Sequence, residues 1–320
     1  MTEQVSGQLP WFSGSHIASL VSADDAIAAL EDALGNGHDP AQDPARSVVN
    51  TKHGQLLLMP AESKASVGVK IASISPDNPR QGLPRIQAIY ILLDSVSMSP
   101  LALLEGTALT TLRTSAVSAL AAKYLSAQNS RELLVFGSGP QARAHIDSLR
   151  AIRALESISI VARTQLQAEE LAQYVSDQDL KSRVILASDS ESVAKAVSNS
   201  DIVVCATTST TPVFSGRQVS AGACVIALGS HEPNVREVDA DLVGRSLVFV
   251  EDKSTALREC GDIVMAIEEG YFEAKSLISL SELVNNPHLA NDQSRPKLFK
   301  SSGMAWEDLV VAERIFRGSR

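Results

Sequence analysis

The sequence is poor in cysteine and has no long hydrophobic run. Its three cysteines, Cys205, Cys224 and Cys260, show no metal-ligand spacing, and an odd number cannot all pair in disulfides. No apolar run approaches the roughly 20 residues that a membrane helix needs. Residues 1–16 have neither the basic nor the apolar region of a secretory signal. We therefore predict a protein of the reducing cytoplasm that does not bind a membrane.

Positively charged residues are also fewer than negatively charged ones. The chain carries 28 lysines and arginines against 37 aspartates and glutamates, which gives a net charge of -9. Because nucleic-acid binding needs a basic face that neutralises phosphates, we expect no nucleic-acid partner. A local basic pocket for a small anion is still compatible with this balance. At 320 residues, the chain is long enough for about two domains.

The first third of the chain predicts helices combined with a mostly antiparallel sheet. Residues 22–35 predict a helix that Ser22 caps and Gly35 ends. Four segments rich in β-branched residues and separated by turn residues predict strands: RSVVNT, GQLLLMPA, ASVGVKIASIS and PRIQAIYILLD. Residues 104–127 predict a long helix, and a final helix is expected from about residue 305.

From about residue 131 the pattern changes to alternating strands and helices. The predicted strands are short continuous apolar runs: ELLVFG, SISIVA, RVILA, DIVVCAT, ACVIALG and SLVFVED. Such runs are typical of a parallel sheet buried on both faces. Their alternation with helical segments predicts an α/β domain with a doubly wound parallel sheet, the Rossmann arrangement.

One glycine turn in this second region predicts a dinucleotide site. The segment VFGSGPQARAH contains the pattern G-x-G-x-x-A at Gly137, Gly139 and Ala142, after a strand and before a helix. The first glycine permits a tight turn, the second lets the backbone approach a pyrophosphate, and the alanine lets helix and strand pack closely. Pro140 suits the first helical turn. The alternative is a glycine turn that binds nothing.

The end of the second strand distinguishes between the two nicotinamide dinucleotides. An NAD site usually has an acid there for the ribose hydroxyls, whereas this chain has Arg163 and Thr164. A cation at this place can meet a 2′-phosphate, so we predict NADP in preference to NAD. The alternative is a solvated surface arginine. The loops after two later strands, at Thr207 and at Gly229 to His231, are expected to face the nicotinamide end.

Three cations stand in or beside apolar segments of the first region: Arg46, Lys70 and Arg113. Charged side chains are rarely buried without a partner, and no acid lies near Lys70 or Arg113 in the sequence. An anionic substrate would supply that partner, because guanidinium groups bind carboxylates in bidentate fashion. The alternative is that each cation pairs with an acid distant in the sequence.

Motifs along nearly the whole chain resemble the ornithine cyclodeaminase/mu-crystallin family. The matching segments are LLLMPA, VGVKIAS, EGTALTTLRTSAVSALAAKYL, VFGSGPQARAH, DIVVCATTSTTPVF, GSHEPNVREVD, ALRECGDI and KSSGMAWEDL. The resemblance implies an α+β domain for substrate binding and dimerisation, formed by residues 1–124 with 303–320. It implies an NAD(P)-binding Rossmann domain over residues 125–302, and a homodimer.

The resemblance also implies roles for individual residues. Arg46, Lys70 and Arg113 would bind the substrate carboxylate, with Lys70 close to the reacting carbon, and Met59 of LLLMPA is a further substrate-binding candidate. Beyond the glycine turn itself, cofactor contacts are implied for Pro140, Gln141, Arg163, Thr164, Thr207, Leu228, Gly229 and Ser301.

Members of that family catalyse different reactions on this scaffold. Some convert ornithine to proline with release of ammonia, others reduce cyclic ketimines with NAD(P)H, and others are alanine or related amino-acid dehydrogenases. Cyclodeaminases are expected to have acids where this chain has Leu57 and His231. Because cyclisation needs bases that collect protons from an amine, these two departures argue against that activity.

We therefore predict an NADPH-preferring reductase of a cyclic imine carboxylate, which converts pyrroline-2-carboxylate or piperideine-2-carboxylate to proline or pipecolate. Lys70 and His231 are the candidate proton donors. Two alternatives on the same scaffold are ornithine cyclodeamination and alanine dehydrogenation. An alternative of another class is a non-catalytic protein that binds NADPH or a small ligand, as a lens crystallin does.

Overall fold

The computed structural model describes residues 9–319 and divides into two compact units. Unit 1 contains residues 9–30, 42–113 and 304–319, and unit 2 contains residues 31–41 and 114–303. Residues 1–8, which begin the predicted first domain and in which no secretory signal is predicted, lie outside the described residues, as does Arg320. The domain boundaries given above stay a prediction.

Unit 1 is built on a six-stranded sheet. Its strands are β1 (Trp11–Phe12), β2 (Ser47–Thr51), β3 (Gly54–Glu62), β4 (Ser66–Ile74), β5 (Ile86–Asp94) and β6 (Pro100–Glu105). They lie in the order β1-β6-β5-β4-β3-β2, antiparallel except for the parallel pair β1 and β6. The predicted antiparallel strands are therefore confirmed.

Four helices belong wholly or partly to unit 1: α1 (Gly14–Leu20), α2 (Ala23–Gly35), α3 (Gly106–Leu125) and α11 (Ala305–Gly318). The predicted first helix is confirmed as α2, where Ser22 and Asp25 exchange hydrogen bonds in a reciprocal cap. The predicted final helix is confirmed as α11, which packs on β3, β4 and β5. The last helix thus returns to the sheet that the first third of the chain forms.

Unit 2 is built on an eight-stranded sheet that is parallel throughout. Its strands are β7 (Glu132–Phe136), β8 (Ser157–Ala162), β9 (Lys181–Leu186), β10 (Ile202–Cys205), β11 (Cys224–Ala227), β12 (Leu247–Val250), β13 (Ile278–Ser279) and β14 (Lys297–Lys300). The order is β13-β12-β14-β11-β10-β7-β8-β9. Every residue of β10, β11 and β14 is buried, as expected for a parallel sheet that is covered on both faces.

The helices of unit 2 follow its strands. They are α4 (Pro140–Ile152), α5 (Gln165–Ser176), α6 (Ser190–Asn199), α7 (Ala240–Arg245), α8 (Lys253–Glu259), α9 (Gly261–Glu268) and α10 (Leu280–Asn285). The sheet reverses its order between β7 and β10, and ligands of such sheets bind beyond the carboxyl ends of the strands at that point. Among residues 9–319, no helix combines the length and the hydropathy needed to cross a membrane.

Arg153 caps the end of α3 within unit 2. Its guanidinium donates hydrogen bonds to the backbone carbonyls of Ala127, Lys123 and Ser126, at 2.7 to 2.9 Å. The last carbonyls of a helix have no partner inside the helix, so a cation at this position satisfies several of them at once.

Replacing this arginine therefore tests a structural role. We expect Arg153→Ala to lower the free energy of unfolding by about 2–4 kcal/mol, because it leaves several carbonyls unsatisfied. The control is Arg183→Ala, which removes an exposed arginine of β9. Urea denaturation compares the two, and equal midpoints would contradict the capping role.

Candidate functional site

Two of the predicted substrate-binding residues, Lys70 and Arg113, lie in a buried ion-pair cluster in unit 1. Lys70, in the middle of β4, is 3% exposed, and its Nζ lies 2.8 Å from Oδ2 of Asp308. The same Nζ donates a hydrogen bond of 3.1 Å to the hydroxyl of Thr110 on α3. A buried lysine thus has both a counter-ion and a hydrogen-bond acceptor.

Arg113 belongs to the same cluster. Its Nη1 pairs with Glu307, and its Nε lies 3.2 Å from Oδ1 of Asp308. Both acids are fully buried in the first turn of α11, where the helix dipole favours negative charge. The ion-pair cluster therefore holds two cations and two anions, Lys70 and Arg113 with Glu307 and Asp308, and its formal charge is balanced.

This arrangement matches the alternative stated for the buried cations. Lys70 and Arg113 pair with acids distant in the sequence, so an anionic substrate is not needed to explain their burial. Their contact with a substrate stays a prediction. Met59 on β3 is buried and lies directly opposite Lys70 in the sheet, whereas Arg46 is half-buried just before β2.

The surroundings of Lys70 bring its pKa close to neutral pH. Burial lowers the pKa of Lys70 to about 8, against the attraction of Asp308, which raises it; the nearby charge of Arg113 lowers it further. The amine is therefore protonated at pH 7 and can lose its proton within a unit or so of that pH. Such an amine is suited to general acid–base chemistry.

In unit 2, the predicted glycine turn connects β7 with α4. Gly137 has a φ of +108°, and a side chain on it would place Cβ 2.3 Å from the carbonyl oxygen of Ala206. Both facts require glycine at this position. Gly139 differs, because its φ is −82° and a Cβ there would meet no atom within 4 Å. Neither the backbone nor the packing requires glycine at residue 139.

The start of α4 leaves polar groups available to a ligand. Gly139 is the N-cap, Pro140 is at the start of the helix, and no side chain caps this end. The N–H groups of a first helical turn lack partners inside the helix and bind anions. The Oε1 atom of Gln141 is buried and has no hydrogen-bond partner among residues 9–319. Ala142 is fully buried, as close packing of helix and strand requires.

The end of β8 is followed by the two residues that are predicted to contact the substituted ribose of the cofactor. Arg163 is exposed and forms no ion pair with another described residue. Thr164 is the N-cap of α5, and its hydroxyl donates to Oε1 of Gln167 and accepts no hydrogen bond from the backbone N–H groups of the helix. The first turn of α5 holds no acid. A cation beside an uncapped helix start is suited to a phosphate group.

The remaining residues predicted to contact the cofactor form hydrogen bonds with two buried acids that were not predicted from the sequence. Glu237 accepts hydrogen bonds from the backbone N–H groups of Thr207, Leu228 and Gly229. Ser301 is buried and donates a hydrogen bond of 2.6 Å to Glu251. In each case the donor of a predicted cofactor contact is already engaged within unit 2.

The two histidines near these elements differ in environment. His231, in the loop after β11, is exposed. His145 on α4 is fully buried, and its ring nitrogens lie 2.7 Å from the carbonyl oxygen of Gln141 and 2.9 Å from the hydroxyl of Ser118. Burial lowers the pKa of His145 to about 4, so this histidine is neutral at pH 7 and has a structural role.

These features of unit 2 fit a dinucleotide. The uncapped start of α4 and the open space above Gly139 suit a pyrophosphate, and Arg163 with Thr164 suits a substituted ribose. The buried Oε1 of Gln141 is a polar atom that still needs a donor.

Comparison with known proteins adds three findings to this geometry. The profile of the ornithine cyclodeaminase/mu-crystallin family matches residues 13–318. A Delta(1)-pyrroline-2-carboxylate reductase of Bacillus cereus is 34% identical over 265 residues, which cover 81% of this chain and 80% of that protein. A ketimine reductase mu-crystallin of Rattus norvegicus is 33% identical over 298 residues, which cover 91% of this chain and 90% of that protein.

A solved structure is similar to this chain over nearly its whole length. The Delta(1)-pyrroline-2-carboxylate reductase of Thermococcus litoralis, in complex with NADH and L-proline, is 28% identical and superposes with a TM-score of 0.87. The superposition covers 97% of each chain. The predicted fold class, a Rossmann domain combined with an α+β domain, is thereby confirmed.

The two glycines of the turn provide a matched pair of substitutions. We expect Gly137→Ala to lower the free energy of unfolding by about 1–3 kcal/mol or more, because φ is positive and Cβ meets a carbonyl. Gly139→Ala should change it by less than about 1 kcal/mol and weaken NADPH binding, because the methyl group enters the space that a pyrophosphate needs. Thermal melts and NADPH titrations measure both effects. Unchanged NADPH affinity in Gly139→Ala would contradict the assignment of the turn.

Proposed function

Because the chain belongs to the ornithine cyclodeaminase/mu-crystallin family, we propose that it is an NAD(P)H-dependent reductase of cyclic imine carboxylates. The substrates are pyrroline-2-carboxylate or piperideine-2-carboxylate, and the products are proline or pipecolate. Two relatives and one solved structure, all reductases of this class by name, support the proposal.

One observation from the structure carries the proposal, the buried pair of Lys70 and Asp308 beside Arg113. Reduction of an imine adds a hydride to the C=N carbon and a proton to the nitrogen, and yields a secondary amine. A reduced nicotinamide supplies the hydride when it is bound. Lys70, protonated at pH 7 and held by Asp308, is suited to supply the proton.

The other residues of unit 1 would bind and orient the substrate. Arg113 and Arg46 are proposed to hold its carboxylate, since a guanidinium forms paired hydrogen bonds with a carboxylate group. Met59, opposite Lys70, would contribute an apolar contact. His231 is the second candidate proton donor, and its role stays a prediction.

The position of Leu57 disfavours cyclodeamination. Leu57 and Met59 lie two residues apart on β3, and Met59 is opposite Lys70, so Leu57 is on the sheet face of Lys70. An acid at residue 57 would place a base on that face, and leucine cannot act as one.

We also propose that the cofactor is NADP in preference to NAD. The support is the exposed Arg163 at the end of β8, the uncapped start of α5, and the lack of an acid in the segment VARTQ. An acid at this place would bind the ribose hydroxyls of NAD and repel a 2′-phosphate.

Assembly as a homodimer through unit 1 is part of the proposal. The edge strand β2 is exposed along its whole length and presents Val48 and Val49, which are 53% and 46% exposed. An exposed apolar edge strand is suited to pairing with another chain. The cytoplasm remains the predicted location.

The direct test is consumption of NADPH and of NADH with each imine. We expect turnover with both substrates and about tenfold or greater preference for NADPH, which corresponds to about 1.4 kcal/mol. Arg163→Ala should reduce that preference through a higher KM for NADPH and leave the KM for NADH unchanged, because only NADPH has the 2′-phosphate. Lack of turnover with either cofactor would overturn the proposal, and ammonia release from ornithine would replace it with cyclodeamination.

The pH dependence tests the role of Lys70. We expect kcat/KM to fall as the pH rises through about 8, because the pKa of Lys70 is about 8 and only the protonated amine supplies a proton. Lys70→Arg keeps the charge but does not titrate below pH 12. Its residual activity should therefore lack this alkaline limb, and the same limb in Lys70→Arg would assign it to the substrate and contradict the role.

A further inference from the structure

A single buried side chain connects two loops of unit 2 that follow β10 and β11. The carboxylate of Glu237 accepts four hydrogen bonds. Its Oε1 binds the N–H and the hydroxyl of Thr207 at 2.8 and 2.7 Å, and its Oε2 binds the N–H groups of Leu228 and Gly229 at 3.1 and 2.6 Å. Each carboxylate oxygen thus accepts the hydrogen bonds from one of the two loops.

The hydrogen-bonding pattern favours the ionised form of this carboxyl group. Burial raises the pKa of Glu237 above its ordinary value, and the neighbouring charge of Lys300 and the donated hydrogen bonds offset part of that rise. Three of the four partners are backbone N–H groups, which can only donate. A proton on Oε2 would lie against two of these N–H donors, and a proton on Oε1 would require the Thr207 hydroxyl to reverse its bond, so the carboxylate fits the four contacts best.

The backbone of Glu237 is itself held in place by a second acid. Oδ1 of Asp262 accepts hydrogen bonds from the N–H groups of Glu237 and Val238 at 2.7 and 2.9 Å. Oδ2 of Asp262 lies 3.3 Å from Nζ of Lys300, which donates to the carbonyl oxygen of Ser230 at 2.6 Å. Glu237 and Asp262 are both fully buried, and Lys300 is 1% exposed.

Two consequences follow from this arrangement. The loops approach each other closely, since a Cβ on Gly229 would lie 2.0 Å from the carbonyl oxygen of Thr207, and the Glu237 carboxylate bridges them. The group also has unequal charges, because two carboxylates face one ammonium. A net negative charge in a buried environment attracts a nearby cation more strongly than it would in water.

We propose that Glu237 is a positioning residue for the nicotinamide end of the cofactor. Its length fixes the loops at Thr207 and Gly229, and its charge favours the oxidised cofactor, whose nicotinamide ring is cationic, over the neutral reduced form. This inference rests on the proposed function, because it needs a nicotinamide cofactor in unit 2.

Two substitutions separate the length of Glu237 from its charge. Glu237→Gln keeps the length and removes the charge, and Glu237→Asp keeps the charge and is too short to reach both loops. The control is Asp239→Asn, which weakens the cap of α7 and the bond to the N–H of Gly216 in the same unit. Dissociation constants of NADP+ and NADPH, from titrations monitored by protein and cofactor fluorescence, are measured together with melting temperatures.

The expected results differ between the variants. Glu237→Gln should weaken NADP+ binding about tenfold and NADPH binding about threefold, so that the ratio of the two constants shifts. Glu237→Asp should weaken both by the same factor. Asp239→Asn should lower the melting temperature and leave both constants unchanged. If Glu237→Gln does not fold, Thr207→Val, which removes one donor to the carboxylate, should weaken both cofactors about threefold.

Other results would overturn the inference. If Glu237→Gln leaves the ratio of the two dissociation constants unchanged, the charge of Glu237 does not favour the oxidised cofactor. If Glu237→Asp binds NADP+ and NADPH as tightly as the wild type does, the length of Glu237 does not position the loops. If the wild-type protein binds neither NADP+ nor NADPH, the proposed function fails as well. The wild-type titration therefore distinguishes the two failures.

Discussion

Buried charge has to be matched, and both units are organised around that constraint. In unit 1, Lys70 and Arg113 lie in an apolar sheet and helix because Glu307 and Asp308 reach them from α11. In unit 2, Glu237 and Asp262 are matched by backbone N–H groups and by Lys300. Breaking a buried pair by removing one partner typically costs about 3–5 kcal/mol. The clusters therefore fix which segments of the chain lie beside each other.

The same constraint connects structure and proposed chemistry. The balanced charge of the ion-pair cluster in unit 1 leaves Lys70 with a pKa of about 8, a value that burial alone would lower further and Asp308 alone would raise. The proton that Lys70 is proposed to supply converts the anionic imine carboxylate into a species that is neutral overall. The net negative cluster of unit 2 suits a ligand that becomes cationic during the reaction. Each unit thus carries the charge that its proposed ligand requires.

Local patterns predicted the elements well and the long-range contacts poorly. The cap of α2, strands β2–β5 and β7–β12, and the glycine turn depend on neighbouring residues, and these were predicted; strands β1, β6, β13 and β14 were not. The pairing of Arg113 with Glu307 spans 194 residues, and no local pattern shows such a contact. The adjacent acids in AWEDL, at the start of an apolar helix, were the available signal. Strand β14 was not predicted, because Lys297 and Lys300 stand at both ends of a run whose four residues are all buried. Glu237 was missed because a single acid in a loop has no distinctive pattern.

Transfer of the hydride to the imine carbon is the step from which the other assignments follow. It is measured most directly by supplying NADPH deuterated at nicotinamide C4, in each of its two stereoisomers, together with pyrroline-2-carboxylate. The amino-acid product is then analysed by mass spectrometry and NMR. We predict proline with deuterium at Cα from one stereoisomer and unlabelled proline from the other. Unlabelled product from both stereoisomers, or oxidation of the cofactor without formation of proline, would contradict the account.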